Sequence, residues 1–414
     1  MRVAYYSPLP PERSGIADYS ALLVPALARK VDLRIARRRR RPGRGVDISL
    51  YHVGNNPEAH GWIVEALCEQ PGLVVLHDFV LHHLVSGLTL GRGDAEGYRA
   101  AMFRDSGVVG RLLAHGVIDG LVPPLWETRA EQFPLTREVL VHARGLLVHS
   151  RYVEDRVRQL GFKGPVSIVP MPAWETPGPL APAGLPPERR PVIGCFGHLT
   201  KTKRLPQLLE AFARLRAEFP EALLLLVGRP AAGVSFEAML DRYGLSGDRV
   251  LHFDYVDEPR LWSLMSAADI SVNLRWPTMG ETSGTAVRSL VLGSPLVVSD
   301  IGWFSELPDG AVAKIPVGTD EVDVLTETLA RLCRDAGRRD ELGGAGRAYV
   351  RRVHNLERVA DAYAAALEET AGRDGVRAEV LTEVAQAAQE IGLEPTSPEL
   401  ERVGDALSEV GFGD

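Results

Sequence analysis

A stretch of small residues late in the chain, GETSGTAVRSLVLGSPLVVSD, begins with a carboxylate, Glu281, just after the apolar run ADISVNLRW. Its pattern predicts a strand, a tight loop, a helix and a further strand. The backbone amides at the start of such a helix, at Ser283, Gly284 and Thr285, attract an anion. We therefore predict an anion-binding loop, in which the negative charge of Glu281 is unexpected.

Two other turns have a glycine where a phosphate group would approach the backbone closely. The segment SGIADYS places Gly15 at a strand-to-helix turn, and GHLTKTKRLPQLLEAF is a loop that opens with Gly197 and leads into a helix. The second loop also carries Lys203 and Arg204, cations that suit a diphosphate. An ordinary turn glycine and a solvated lysine before a helix are the alternative interpretations.

His77 ends the apolar run GLVVLH and is followed by Asp78. Ligands of parallel sheets bind at the carboxyl ends of the strands. A histidine there can donate to a phosphate or a sugar hydroxyl near neutral pH. We predict a functional role for His77, with a satisfied structural histidine as the alternative, whereas Asp78 is equally well explained as a helix cap.

Apolar runs of strand length alternate with helical patterns, which predicts parallel sheets made of βαβ units. The predicted strands lie in RVAYYS, VDLRIA, DISLYHV, GLVVLHD, GLLVHS, VSIVP, PVIGCFGH, ALLLLVG, RVLHFDY, ADISVNLR, LVVSD and AVAKIPV. The fold class expected is α/β, with two doubly wound Rossmann-like domains that face each other across a cleft, and a short helical C-terminal tail.

The length of 414 residues also favours two domains. The segment MPAWETPGPLAPAGLPPERR, residues 171–190, is rich in proline and small residues and predicts a linker. The predicted parts are an N-terminal domain over 1–170 with a helical insertion at about 85–140, the linker 171–190, a C-terminal domain over 191–350, a helix over 351–371 that packs back on the N-terminal domain, and an acidic helical tail over 372–414.

Composition excludes several classes of protein. Apolar residues make up 45% and charged residues 24% of the chain, as in a folded globular protein. No run approaches the ~20 apolar residues of a membrane span, and no basic stretch followed by an apolar one opens the sequence. Three scattered cysteines favour a reducing compartment. A cytoplasmic protein is therefore expected.

Basic residues cluster at Arg37–Arg41, whereas the net charge of the whole chain is −7. A solvated loop after a strand is one interpretation of this cluster. The alternative is peripheral contact with an anionic acceptor or with the inner face of the membrane. Nucleic acid is not expected as a partner, because no interleaved aromatic residues or binding motif accompany the cluster.

In combination, four stretches resemble the family 4 (group 1) retaining glycosyltransferases of GT-B fold: SPLPPERSGIADYS, VVLHD, GHLTKTKRLPQLLEAF and GETSGTAVRSLVLGSPLVVSDIGWFSELP. The resemblance covers about residues 1–370. It implies transfer of a hexose from a nucleotide diphosphate sugar, GDP-mannose or a UDP-hexose, with retention of anomeric configuration. The acceptor would be a hydroxyl of a saccharide, a lipid-linked compound or a small molecule. No cofactor or metal is implied besides the donor.

The resemblance also implies roles for single residues. Catalytic roles fall to His77, Lys203 and Glu281. The donor diphosphate would be bound by Gly15, Gly197, His198, Lys203, Arg204, Ser283, Gly284 and Thr285, and the nucleoside by Gly228, Arg229, Tyr255, Val256, Arg288 and Ser289.

Two positions depart from the family pattern. His198 stands where the family has an arginine, and histidine lacks the planar fork that binds phosphate at two points. Arg288 or Ser289, depending on the alignment, replaces a glutamate that binds the ribose hydroxyls in the family. If Arg288 points to the diphosphate, it compensates for His198; if it points away, ribose recognition differs from the family.

Two other functions stay open at this stage. One is another sugar-nucleotide enzyme of GT-B fold, such as an epimerase or a phosphorylase. The second is a non-catalytic protein that binds nucleotide sugars. A Rossmann dehydrogenase is disfavoured, because the first strand is not followed by the G-x-G-x-x-G fingerprint.

Overall fold

The structure is a computed structural model that describes residues 1–12, 14–38, 45–230, 236–245, 247, 249–393 and 397–409. The chain divides into two compact units. The first unit contains residues 1–149, 153–169 and those from 360 onward, and the second contains residues 150–152 and 170–359. The segment predicted as a linker, 171–190, thus belongs to the second unit.

The first unit is built on a parallel sheet of six strands in the order β2-β1-β3-β4-β5-β6. Its central strands are buried along their whole length, because they read as continuous apolar runs that helices cover on both faces. The strands are β1 (Arg2–Tyr6), β2 (Asp32–Ile35), β3 (Ile48–Val53), β4 (Gly72–Leu76), β5 (Ala143–Val148) and β6 (Val166–Ile168).

The second unit repeats this architecture with a parallel sheet of six strands in the order β12-β11-β10-β7-β8-β9. All twelve predicted strands are therefore confirmed, as is the α/β class. The strands are β7 (Val192–Phe196), β8 (Leu223–Val227), β9 (Val250–Phe253), β10 (Ile270–Asn273), β11 (Leu296–Ser299) and β12 (Ala313–Ile315).

Helices connect the strands and cover the two sheets. The predicted insertion at about 85–140 is helical, and its residues Tyr98, Met102 and Leu135 form a small core of their own. The helices are α1 (Gly15–Leu27), α2 (Pro57–Glu69), α3 (His82–Leu88), α4 (Ala95–Ile118), α5 (Leu125–Thr128), α6 (Arg137–Leu140), α7 (Arg151–Gln159), α8 (Leu205–Leu215), α9 (Phe236–Arg242), α10 (Glu258–Ser266), α11 (Gly284–Leu292), α12 (Glu321–Arg334), α13 (Ala336–Val353), α14 (Leu356–Glu390) and α15 (Pro398–Glu409).

The C-terminal helix differs from the expected boundary at residue 371, because α14 runs on to Glu390 without a break. Glycine weakens a helix by only about 1 kcal/mol, so Gly372 does not end this one. Within the first unit, α14 is held by a hydrogen bond of 2.5 Å between the hydroxyls of Tyr19 and Tyr363. An ion pair of 2.6 Å joins Lys30 to Asp361.

Membrane-spanning helices are not found in the described ranges: none of the helices there is both long enough and apolar enough to cross a bilayer.

Helix α13 packs closely against the end of α11. A Cβ atom on Gly343 would lie 2.0 Å from the carbonyl oxygen of Gly293, whereas a Cβ on the neighbouring Gly344 would meet nothing within 4 Å. Only the first of these two adjacent glycines is therefore required by packing.

The substitution Gly343→Ala is expected to lower the free energy of unfolding by about 1–3 kcal/mol, because α13 must move away from α11. The matched substitution Gly344→Ala should raise it by up to about 1 kcal/mol, since alanine favours the helix over glycine. Urea denaturation followed by circular dichroism measures both. Equal effects of the two substitutions would contradict the close contact.

Candidate functional site

At the carboxyl edge of the second sheet, the loops after β7 and β8 run against each other. Gly197 and Gly228 both have positive φ angles, of +88° and +146°. A Cβ on Gly228 would lie 2.3 Å from the carbonyl oxygen of Gly197, and Gly197 N donates to Val227 O at 2.8 Å. Both positions therefore require glycine, and together they hold the loop after β7 at the strand end.

Lys203 folds back from this loop into the protein. It is buried, and its Nζ donates a hydrogen bond to the carbonyl oxygen of Phe196, at the end of β7. A Cβ on Gly197 would lie 3.3 Å from this Nζ and 3.4 Å from Thr285 Cγ2, so the loop, the ammonium and the start of α11 are neighbours. Burial lowers the pKa of Lys203 to about 8, and the positive charge of Arg275 contributes to the lowering.

The start of α11 is fixed by Asn273, at the end of β10. Asn273 Nδ2 donates to Ser283 Oγ at 2.8 Å and to Thr285 Oγ1 at 3.0 Å. Ser283 Oγ also accepts from Ala286 N at 3.3 Å, which makes Ser283 the N-cap. Asn273 is not among the residues predicted from the sequence; the available signal was an amide at the end of a predicted buried strand.

Glu281 is engaged within its own loop and with a neighbouring arginine. Its Oε2 accepts from Met279 N at 2.7 Å and from Thr278 Oγ1 at 3.2 Å. Its Oε1 lies 2.8 Å from Nε of Arg275, a buried residue that follows β10. The carboxylate that was unexpected in an anion-binding loop therefore forms an ion pair with a cation that the sequence analysis did not identify.

The other cations near the loop after β7 differ in their surroundings. Arg204 does not join Lys203, because its Nε and Nη2 donate to the two carboxylate oxygens of the buried Glu321. A substantial part of His198 is exposed. The shielding of the rest of the ring from water, together with the nearby Lys203 and Arg229, lowers its pKa, so His198 is mainly neutral at pH 7.

The sequence left open which way the side chain of Arg288 points, and its contacts in the structure show where it is held. Its guanidinium carbon lies 3.8 Å from the ring centre of Trp174, in the segment predicted as a linker, and its Nη2 lies 3.2 Å from Glu258 Oε1. A Cβ on Gly284 would lie 3.4 Å from Nη1 of this arginine. Arg288 is thus held beside the first turn of α11 by an aromatic ring and a carboxylate.

The remaining predicted positions are mostly at the surface. Ser289 is the exception, since it is buried and donates to Thr285 O within α11 at 3.1 Å. Arg229 is exposed and lies 3.6 Å from Asp254, Tyr255 is 60% exposed, and Val256 packs partly against the core. The structure therefore places these strand-end residues in accessible loops.

Gly15 begins α1 in the first unit, directly after the N-cap Ser14, whose Oγ accepts from Ala17 N at 3.0 Å. A Cβ on Gly15 would meet nothing within 4 Å in the described part of the chain. Packing within the described residues therefore does not demand a glycine at position 15.

His77 lies in a buried cluster of histidines and tyrosines in the first unit. Its Nε2 is 2.9 Å from Nδ1 of His52, and its Nδ1 is 3.4 Å from Nε2 of His149. The ring of Tyr19 packs edge-on against the His77 ring at 4.9 Å. Both ring nitrogens of His77 therefore have partners inside this unit, whereas the sequence analysis expected them to face a phosphate or a sugar hydroxyl.

One carbonyl group fixes the proton positions in this cluster. His149 Nδ1 lies 2.7 Å from Val169 O, which can only accept, so Nδ1 carries the proton. When Nε2 of His149 carries no proton, it accepts from Nδ1 of His77, and His77 then accepts through Nε2 from Nδ1 of His52. Burial, followed by repulsion from the neighbouring histidines, holds the pKa of His52 and of His77 well below its usual range.

The structure describes only part of the predicted basic cluster. Of the basic cluster, Arg38 donates to Glu58 O and lies 3.8 Å from Glu12, while residues 39–41 lie outside the described residues.

Within the described ranges, His, Cys, Asp and Glu side chains form no group of three or more that could hold a metal ion.

Comparison with known proteins connects this geometry to a family. Residues 181–349 match the family model of the group 1 glycosyl transferases, and this range contains the loop after β7, α11 and Arg275. The match covers less than half of the chain, and over that range the chain is similar to this family.

Two curated glycosyltransferases are similar to the chain over part of its length. YqgM of Bacillus subtilis, an uncharacterised glycosyltransferase, is 24% identical over 55% of this chain and 62% of its own length. A GDP-mannose-dependent monoacylated alpha-(1-6)-phosphatidylinositol monomannoside mannosyltransferase of Corynebacterium glutamicum is 30% identical over 39% of this chain and 42% of its own length. The chain thus spans less than two thirds of either relative.

A solved structure extends the fold comparison over nearly the whole chain. HepE of Anabaena, crystallised with UDP and glucose, superimposes with a TM-score of 0.57 and 14% identity over 89% of this chain and all of its own. The fold of the chain is therefore GT-B, as expected.

The buried histidines predict how the stability of the protein depends on pH. Burial lowers the pKa of His60 to about 4, and His60 Nδ1 donates to His52 O. Below the unfolded pKa of about 6.5, the unfolded chain binds more protons than the folded one. The free energy of unfolding should then fall, as pH decreases, by up to about 1.4 kcal/mol per pH unit for each such histidine.

The substitution His60→Asn keeps a donor for His52 O but removes the titrating ring, so its loss of stability between pH 7.5 and pH 5.5 should be about 1–2 kcal/mol smaller than in the wild type. Urea denaturation at both pH values measures this difference. His83→Asn, at an exposed position of α3, is the matched control. An identical change in the two variants would contradict the neutral state of His60.

Proposed function

We propose that the protein transfers a hexosyl group from a nucleotide diphosphate sugar to a hydroxyl acceptor, with retention of anomeric configuration. The observation that carries this proposal is the set of groups at the carboxyl edge of the second sheet. Lys203 Nζ lies beside Gly197 and Thr285, next to the first turn of α11. A buried ammonium and helix N-terminal amides in one place suit the diphosphate of a leaving nucleotide.

The proposed reaction needs little covalent chemistry from the protein. The bond between the anomeric carbon and the diphosphate oxygen breaks as the acceptor oxygen binds that carbon from the same face. The acceptor proton passes to the departing phosphate oxygen. Lys203 and the amides of Gly284 and Thr285 stabilise the negative charge of the leaving group, which is the main electrostatic demand of the step. No metal ion is needed in this proposal.

The donor and acceptor are proposed from the relatives. The Corynebacterium enzyme is named as GDP-mannose-dependent, and HepE was solved with UDP and glucose. GDP-mannose and a UDP-hexose are therefore the donors to test first. The acceptor hydroxyl belongs to a saccharide, a lipid-linked compound or a small molecule, and peripheral contact of Arg37–Arg41 with an anionic cytoplasmic membrane surface is part of the proposal.

The roles of three residues change from the sequence-based assignment. His77 has both ring nitrogens occupied by His52 and His149, so it is proposed to position the end of β4 and not to transfer a proton. Arg204 is proposed to stabilise the loop through Glu321. Glu281 is proposed to orient Arg275, to which it is already paired.

A panel of donors tests the proposed activity. The full chain is incubated with UDP-glucose, UDP-galactose and GDP-mannose in buffer containing EDTA, and thermal stabilisation and slow hydrolysis of the donor are measured. Stabilisation together with release of UDP or GDP is expected for one donor. Stabilisation without release across a range of acceptors would favour a binding protein, and no stabilisation by any of them would contradict the proposal.

The substitution Lys203→Met should weaken binding of the accepted nucleoside diphosphate by about tenfold or more, because a charge-assisted hydrogen bond is worth about 1.5–3 kcal/mol. In the wild type, the affinity should fall as pH rises through about 8, where the lysine loses its proton. Isothermal titration calorimetry at pH 7 and pH 9 measures both effects.

Lys201→Met is the matched control for this substitution, because Lys201 is exposed in the same turn. The control should bind the nucleoside diphosphate as the wild type does. A loss of affinity in both variants, or in neither, would remove Lys203 from the diphosphate site.

A further inference from the structure

Arg275 lies at the carboxyl end of β10, next to the loop that carries Lys203. Trp276 N donates to Thr202 O at 2.8 Å, so Arg275 and Lys203 are each one residue away from the same backbone hydrogen bond. Arg275 N donates to Ser299 Oγ at 2.8 Å, at the end of β11. Backbone contacts on both sides thus fix the arginine at the edge where the proposed diphosphate site lies.

Glu281 contacts the Nε atom of the Arg275 side chain. Glu281 Oε1 lies 2.8 Å from its Nε, and Glu281 Oε2 is already occupied by Met279 N and Thr278 Oγ1. The side chain is 10% exposed, and in the described part of the chain no acceptor takes a hydrogen bond from either Nη nitrogen. The two Nη groups form a planar fork, which matches the spacing of two phosphate oxygens.

Charge balance at this edge favours an anion. Lys203 and Arg275 are both buried, and the carboxylate of Glu281 offsets only one of their two positive charges. The remaining positive charge lies beside the first turn of α11, which favours an anion in addition. Two buried cations with one carboxylate are costly to maintain unless a ligand supplies the missing negative charge.

We propose that Arg275, oriented by Glu281, acts with Lys203 as the second cation that binds the diphosphate of the donor. This inference rests on the function proposed above and names a residue for the same site. The nearby alternatives are less suitable, since Arg204 is paired with Glu321 and Arg288 is stacked on Trp174. His198 is mainly neutral at pH 7, so Arg275 supplies the second positive charge that His198 does not.

Isothermal titration calorimetry of the full chain with inorganic pyrophosphate, UDP and GDP tests this inference, with uridine and guanosine as probes that lack phosphate. The wild type should bind pyrophosphate and one of the nucleotides. Arg275→Gln should weaken both by about tenfold or more while leaving the affinity for the matching nucleoside within about twofold. Arg334→Gln is the matched control, because Arg334 is exposed and paired with Glu218 elsewhere in the unit.

Circular dichroism and thermal unfolding establish that each variant is folded. If Arg275→Gln does not fold, Arg275→Lys keeps the charge opposite Glu281 but lacks the fork. It should weaken pyrophosphate binding several-fold. His198→Gln should cause a smaller loss than either substitution at Arg275.

The outcomes separate this inference from the proposed function. Undiminished pyrophosphate and nucleotide binding by a folded Arg275 variant, next to normal binding by the wild type, would overturn the role of Arg275 and leave the transferase proposal standing. No binding of pyrophosphate, UDP or GDP by the wild type would overturn both. An equal loss in Arg334→Gln would show a general effect of charge, and would also overturn the role of Arg275.

Discussion

The burial of positive charge at one edge of the second sheet constrains the residues around it. An ammonium group removed from water must have hydrogen-bond partners and a compensating charge, because its desolvation is costly. Phe196 O accepts from Lys203, and the Glu281 carboxylate, which is paired with Arg275, compensates only one of the two buried positive charges. Phe196 O can take this position only because Gly197 and Gly228 allow the two adjacent loops to pass within contact distance.

The position of Glu281 illustrates how the same residue type can serve opposite purposes. A carboxylate at the mouth of an anion site would repel the ligand if it were free to turn toward it. Here two donors from its own loop and the guanidinium of Arg275 use its oxygens. The negative charge of Glu281 is paired with Arg275, so the amides at the start of α11 can still attract an anion.

The fold could be predicted from the sequence because each buried strand is a continuous apolar run, and a parallel sheet with covered faces leaves few other interpretations. The residues of the site were predictable where they belong to the loops themselves, as Gly197, Lys203 and Ser283 do. Asn273, Arg275 and Trp174 were missed because their partners are set by the folded path of the chain and not by a sequence motif: Arg275 pairs with Glu281 of the following loop, Asn273 binds Ser283 at the start of α11, and Trp174 packs on Arg288, which is distant in the sequence. The boundary at residue 371 was wrong for a local reason: glycine weakens a helix without necessarily ending it.

The buried titratable side chains of the two units differ in charge at pH 7, and the proposed reaction uses the positive charge of the second unit. In the first unit, burial and mutual repulsion keep His52 and His77 neutral. In the second unit, two cationic side chains, Lys203 and Arg275, are buried at one edge of the sheet, and the pKa of Lys203, about 8, keeps that lysine mainly charged at pH 7. During glycosyl transfer the sugar becomes positive while the diphosphate becomes negative. In the proposed reaction, the cations at the carboxyl edge of the second sheet stabilise the leaving group, and the buried histidines of the first unit have a structural role within that unit.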